Sequence, residues 1–293
     1  VWGCSFWWMA LGLRALQPAQ VAAGRLIFGA AVLLAVCAFG RIPLPAERRT
    51  WLHLAVVAVL LNSVPFTLFA FGQQRVTSIL AGVVNACTPL AVLAVTLVAF
   101  PEERPTRERI MGLGVGFVGV LVVLGVWRSL PRGELIGIGA CLAAISCYGV
   151  AFPYARRYLS PLGLNPVSLA ASQVSLGALL LVPLLVVSTI GQPIAVDALS
   201  ADVVWGMVAL GVLGSGLAYV LNFGIIDGAG SSTASSVTYL TPIVAVIAGT
   251  AFLGETISWN HLVGGAIVIA GIAVSQGRLG RFDRRLTEVV EAG

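Results

Sequence analysis

The sequence predicts an all-α membrane protein, with ten transmembrane helices arranged as two inverted five-helix repeats around a central cavity. Three observations carry that expectation. The first is composition: 58% of the 293 residues are hydrophobic and 10% charged, and the mean hydropathy is +0.99, where a soluble domain is roughly 45–50% apolar and about 25% charged. The second is the set of stretches without Asp, Glu, Arg or Lys, between Arg49 and Arg75, Arg75 and Glu102, Arg109 and Arg128, Asp202 and Asp227, and Glu255 and Arg278. Each is near or above the roughly 18–20 apolar residues that a spanning helix needs. The third is an internal match when the chain is slid along itself. Together these exclude a water-soluble globule.

Breaks at proline, glycine and charge clusters give apolar segments at 1–16, 18–40, 51–73, 77–100, 109–127, 133–156, 165–190, 203–226, 230–254 and 259–276. The first meets Arg14 after thirteen residues, which make about 20 Å of helix against a roughly 30 Å hydrocarbon core. The start of helix one is therefore expected to be missing, and no basic region with a small-residue cleavage site suggests a signal peptide. The second segment starts at Pro18 and holds Arg25 about 10 Å inside. On the third, Asn62, Phe66, Phe69 and Gln73 recur at i, i+4, i+7 and i+11 on one face. The fourth carries Gly82, Asn85, Ala86 and Pro89, and the fifth the glycines 112, 114, 116 and 119. The Gly112-to-Gly116 spacing permits close helix approach, within the chain or in a dimer; a monomer and a dimer both fit. Tyr148 and Phe152 mark the sixth, and Pro166 and Gly177 the seventh. On the eighth, Ser215, Tyr219 and Asn222 share a face, as do Ser235, Thr238, Tyr239 and Pro242 on the ninth. The tenth holds Gly264, Gly265 and Gly271, and the charged tail 278–293 reads as a soluble helix or a disordered segment.

The net charge of +5 comes with 17 basic residues, all arginine. They lie in short clusters between apolar spans and form no single basic face, so nucleic acid is not an expected partner. Twelve of them (41, 48, 49, 104, 107, 109, 156, 157, 278, 281, 284 and 285) fall on one side of the membrane, and four (14, 75, 128 and 132) on the other. By the positive-inside rule both termini are cytoplasmic. The five cysteines sit inside apolar spans without a CxxC or Cys/His pairing, which excludes a zinc or disulfide framework. No metal and no cofactor is expected.

An offset of 153 lays Ser78, Ala81, Val84, Thr88, Pro89, Glu102 and Gly112 over Ser231, Ala234, Val237, Thr241, Pro242, Glu255 and Gly265. Slightly smaller offsets pair Pro18, Gly29 and Ala30 with Pro166, Gly177 and Ala178, and Trp2-Gly3 and Phe6 with Tyr148-Gly149 and Phe152. The expected units are a first repeat at 1–127 and a second at 133–277. Five is odd, so the second copy enters from the opposite face. Such symmetry suits secondary transporters, whose copies exchange conformations.

On these residues the chain resembles the EamA-type ten-helix exporters of the drug/metabolite transporter superfamily, over essentially its whole length. The motifs are Trp2-Gly3, Arg25, Thr88-Pro89 leading to Glu102 and Gly112, and the second copy, Thr241-Pro242 leading to Gly254-Glu255 and Gly264-Gly265. One departure is Pro101, where the family usually has glycine. The resemblance implies a bacterial inner-membrane transporter, often an exporter of amino acids or other small metabolites, with a cavity between the repeats.

Polar residues at mid-span mark helix contacts or a wet cavity. The candidate substrate-binding residues are Trp7, Asn62, Phe66, Asn85, Tyr148, Phe152, Tyr219, Asn222, Thr238 and Tyr239. Gating or coupling candidates are Arg25, Pro89, Pro242, Glu102 and Glu255. Arg25 either snorkels to the interface or holds a substrate carboxylate or a helix-end carbonyl. The two glutamates either cap helix ends or couple protons, and the prolines either kink their helices or expose a carbonyl. No Asp, Glu or Lys lies mid-span, which disfavours an organic-cation antiporter, and no central basic pair suits a phosphate. A neutral or zwitterionic small molecule with an apolar or aromatic part remains, amino acids first, with other hydrophobic or toxic compounds, or a non-transporting scaffold, as alternatives. An intramembrane enzyme is disfavoured: the two histidines, His53 and His261, lie near helix ends, and no HExxH occurs.

Overall fold

A computed structural model describes residues 1–99, 107–125, 127, 131–229 and 241–275. Ten helical stretches run through these residues. They are α1 (Trp2–Gly12), α2 (Pro18–Phe39), α3 (Arg48–Gln73), α4 (Ser78–Asn85 continuing as Thr88–Ala99), α5 (Arg107–Leu124), α6 (Arg132–Tyr158), α7 (Pro166–Gly191), α8 (Ala201–Gly211 continuing through Val212–Leu217 to Ala218–Ala229), α9 (Thr241–Leu253) and α10 (Trp259–Ser275). Among the described residues, helices 2, 3, 4, 6, 7 and 8 are each long and apolar enough to cross a bilayer, and shorter apolar helices occur at Ile110–Leu124, Thr241–Leu253 and Trp259–Gly271. The expected segments 1–16 and 133–156 differ at their ends: α1 stops at Gly12, and α6 runs from Arg132 to Tyr158. The expected 230–254 is described only from Thr241. The tail 278–293, Glu102, Thr238 and Tyr239 lie outside the described residues.

Polarity is arranged as a bilayer requires. Asn62, Ser172, Gln173, Ser215 and Thr88 are buried, whereas Ile27, Phe28 and Val36 of α2 and Leu179, Val187 and Ile190 of α7 are exposed. Only 17% of the apolar window of α7 is buried, so this helix presents its hydrophobic side chains outward, where lipid tails satisfy them.

Local chemistry explains the helix breaks. α2 stops where Arg41 takes a left-handed conformation (φ 51°) and the Ile42 N–H returns to the Cys37 carbonyl at 2.9 Å. In α4 the proline at 89 has no N–H for the Asn85 carbonyl, and the Thr88 hydroxyl donates to that carbonyl at 2.7 Å instead. α3 and α8 each contain one wide π-helical turn, Val59–Ser63 and Val212–Leu217. These two turns are separated by the same 153 residues that align the sequence repeats.

The same contacts recur between helices five places apart in chain order. α2 lies along α7, and α5 along α10; α3 meets α6 as α8 meets α1, and α4 meets α6 as α9 meets α1. The α5–α10 pair is antiparallel and backbone-close: a Cβ on Gly119 would stand 2.6 Å from the Val268 nitrogen, and one on Gly264 2.5 Å from the Val123 nitrogen. Gly112 and Gly116 face Gly271, so the glycine spacing serves a contact within the chain. Two apolar clusters form the interior. One is centred on Phe6, Met9, Ile79 and Val84, the other on Leu26, Leu61, Val174 and Phe223, with Tyr148 touching both.

Candidate substrate cavity

Between the two clusters lies a small cavity of about 50 Å³. Its walls come from both halves of the chain. α1 contributes Trp2, Ser5, Phe6 and Met9, α2 Arg25, α3 Leu61, Phe66 and Phe69, and α4 Asn85 and Thr88; Tyr148 and Phe152 come from α6 and Tyr219 from α8. Aromatic rings meet edge-on across it: Phe6 with Phe69 at 5.5 Å between centroids, and Trp2 with Tyr219 at 6.0 Å. This geometry suits ring quadrupoles and leaves ring faces for a ligand.

The π turns supply the polar anchors of the walls. Pro65 has no N–H for the Leu61 carbonyl, and the Tyr219 hydroxyl donates to that carbonyl at 2.9 Å, which fixes the Tyr219 ring. In the second turn the Gly214 carbonyl accepts from Arg25 Nη2 at 3.3 Å, and Ser215 Oγ accepts from Arg25 Nε at 3.1 Å. The guanidinium carbon lies 3.5 Å from the centroid of the Phe66 ring, a cation–π arrangement. Arg25 is 2% exposed and so does not snorkel. A related link joins α7 to α3, where Gln173 Nε2 donates to Asn62 Oδ1 at 2.6 Å. Gln173 stands 148 residues after Arg25, the spacing that pairs Pro18 with Pro166, and Ser215 stands 153 after Asn62. The two links are thus equivalent in register, one charged and one neutral.

Of the expected site residues, Phe66, Asn85, Tyr148, Phe152, Tyr219 and Arg25 line this cavity. Asn62 does not: it is fully buried against Gln173. Asn222 is buried away from the wall. Trp7 stacks on Phe252 at 4.3 Å between centroids, outside the lining. Shared register on one helix face is a necessary condition for lining a cavity, and the neighbouring helix decides which part of that face is covered. Pro89 sits at the α4 break, and Pro242 in the first turn of α9. Glu255 reaches back to α4, its Oε1 accepting from the Ser78 N–H at 2.8 Å and its Oε2 from the Ile79 N–H at 2.9 Å. The left-handed Gly254 (φ 66°) turns the chain, and the Glu255 N–H closes onto the Gly249 carbonyl at 3.0 Å. A carboxylate at a helix N-terminus complements the unpaired N–H groups there.

Toward Ser78, α1, α4 and α9 pack tightly against one another. A Cβ on Gly82 would come 2.5 Å from the Cβ of Ala245, and one on Gly3 2.5 Å from the Cβ of Val244. Among the described residues, no group of three or more His, Cys, Asp or Glu could hold a metal.

A profile of the EamA-like transporter family matches this chain twice, over residues 1–125 and 135–276. The chain belongs to the EamA-like transporter family. EamA-like proteins are membrane proteins of ten helices, and this one is accordingly a multi-pass membrane transporter. An uncharacterized transporter of Archaeoglobus fulgidus is 24% identical over 279 residues, covering 93% of this chain and 94% of its own. The inner membrane transporter YedA of Escherichia coli K12 is 28% identical over 287 residues, with 95% and 88% covered, and the protein PecM of Dickeya dadantii is 23% identical, with 97% and 91% covered. A crystal structure at 18% identity superposes with a TM-score of 0.66 over 95% of this chain and 96% of the other, a likeness of fold. The family, the Archaeoglobus relative and YedA are named for transport.

Within this EamA-like chain the candidate site residues read from the sequence left out Trp2, Ser5, Phe6, Met9, Leu61, Phe69 and Thr88, which are wall residues. Pro65 beside a polar pair, and the glycines around Ser215, are the signals that point to the π turns exposing Leu61 and Gly214. Ser5 and Met9 carry no mark in the sequence beyond their place three residues after Trp2 and after Phe6.

Proposed function

We propose that this chain exports small neutral or zwitterionic metabolites, aromatic and other neutral amino acids first among them, by alternating access across the bacterial inner membrane. The cavity carries the reading: aromatic faces for an apolar body, a carboxamide from Asn85, and hydroxyls from Thr88, Tyr148 and Tyr219, all between helices of both halves. Its two moving units are the inverted repeats 1–127 and 133–277. The matched helix contacts, the paired π turns and the register-equivalent links Arg25–Ser215 and Gln173–Asn62 support that division. Both termini face the cytoplasm, on the strength of the arginine distribution. Rocking of one repeat against the other opens the Ser78 end while closing the opposite one.

The test is uptake into proteoliposomes with a panel of radiolabelled neutral and aromatic amino acids, with and without an imposed proton gradient. Saturable, competable movement is expected; if it persists without the gradient, transport is facilitative, and if it needs the gradient, it is proton-coupled. No movement of any panel member under either condition overturns the amino-acid reading.

A further inference from the structure

The cavity contains one cation and, among the described residues, no anion. Arg25 is 2% exposed and has no carboxylate partner there. Its Nε and Nη2 donate to Ser215 and Gly214, two of the five N–H donors that a guanidinium carries. Beside it stands Ser5, also on the cavity wall and 5% exposed, whose hydroxyl has no hydrogen-bond partner. The two heads are neighbours: a Cβ built on Gly214 would lie 2.7 Å from Ser5 Oγ and 3.6 Å from Arg25 Nη2. The register-equivalent position in the second half is the neutral Gln173, already occupied by Asn62, so no second cation completes a phosphate clamp.

A guanidinium without a counter-charge in a water-poor interior is costly, and a guanidinium beside an unpartnered hydroxyl can offer N–H and O–H donors to the two oxygens of a carboxylate. We propose that Arg25 and Ser5 form the seat of a substrate carboxylate, and that the ligand class is apolar-bodied carboxylates whose body lies against Phe66, Phe69, Tyr148 and Phe152. An amino group is not required, because no described wall residue offers it a counter-charge; amino acids enter as one member of the wider class. The proposal rests on the cavity being the transport site.

The experiment is calorimetric titration of the purified chain at neutral pH with a matched series: 3-phenylpropionate, phenylalanine, 3-phenylpropanol and 3-phenylpropylamine. The acid is expected to bind about tenfold tighter than the alcohol and the amine, with phenylalanine within about threefold of the acid. Arg25→Gln should bring acid and alcohol to within about twofold. If that variant does not fold, Ser5→Ala, which removes an unpartnered hydroxyl, should weaken acid binding about threefold and leave the alcohol unchanged. Acid and alcohol binding alike in the unaltered chain, or no binding of any probe, overturns the seat. Proteoliposome counterflow separates the two readings: preferential acid binding without exchange leaves the seat standing and overturns transport, whereas exchange of amino acids without acid preference does the reverse.

Discussion

At the residue scale, Tyr219 shows how one side chain ties local backbone geometry to the cavity. Its hydroxyl is the donor that the Leu61 carbonyl lacks because residue 65 is proline. Tyr219→Phe keeps the ring and leaves that carbonyl unpaired in an apolar interior. Interhelical hydrogen bonds in membrane proteins average about 0.6 kcal/mol, with a maximum near 1.7, so stability should fall by about 1 kcal/mol, measured by titrating unfolding with a denaturing detergent in mixed micelles. An unchanged midpoint would show the carbonyl satisfied otherwise. Asn62 belongs to the same argument. Its oxygen is held by Gln173 and it does not reach the cavity, so Asn62→Ala should lower stability by a similar amount and leave KM for a transported solute unchanged, which the proteoliposome assay reads directly; a large rise in KM would return Asn62 to the binding wall. The sequence made Asn62 and Tyr219 look alike, since both sit on repeated polar stripes. Only the placement of α7 against α3 distinguishes them, and a periodicity of 3.6 says nothing about which neighbour fills which side.

At the scale of elements, the helices themselves were legible because hydropathy and proline placement are local properties. The ends of α2 and α7, and the start of α10, fall within two residues of the expected bounds. The π turns at Val59–Ser63 and Val212–Leu217 leave only faint local marks, Pro65 and the glycines around Ser215, since an extra residue in a turn is stabilised by tertiary partners such as Tyr219 and Arg25. The junction of α9 with α4 is a second case. Glu255 was visible as a repeated glutamate, yet its use as a cap for Ser78 and Ile79 depends on an element 177 positions away in the chain. Glu255→Ala removes two acceptors from a helix N-terminus, and losing such a cap costs about 1 kcal/mol. A lowered melting temperature in detergent is expected; an unchanged one would mean that water replaces the carboxylate without loss. The α5–α10 contact predicts a larger effect. With Gly264 opposite the Val123 nitrogen, Gly264→Leu forces backbones apart, at a cost of about 1–3 kcal/mol, and the variant should show a reduced folded yield by size-exclusion chromatography, whereas Gly139→Leu, where a Cβ meets nothing within 4 Å, should not.

For the whole molecule, a cavity flanked by tight packing toward Ser78 can serve as a transport site opening on that side only if the packing there gives way, as a seal must. α1, α4 and α9 make this packing, through Gly3 against Val244, Gly82 against Ala245 and Gly249 against Ile79. These contacts join residues of the proposed first and second repeats, so a relative rotation of the repeats must break them together. A covalent link across the seal tests this. Ser78 Oγ stands 3.1 Å from where a Cβ on Gly249 would be, close to the roughly 3 Å between a sulfur and the far Cβ in a disulfide. With the five native cysteines replaced, Ser78→Cys combined with Gly249→Cys should cross-link on oxidation. Substrate flux in proteoliposomes should then stop and return on reduction, while each single variant transports in both redox states. Glu255 adds a second constraint on the same movement, because its two bonds to α4 hold the closed end and must be released or carried along when it opens. Glu255→Ala should therefore favour the form open at the Ser78 end and raise labelling of a lone Ser5→Cys probe by a membrane-impermeant thiol reagent. Continued flux through the oxidised double variant would place the permeation route elsewhere than between the two repeats.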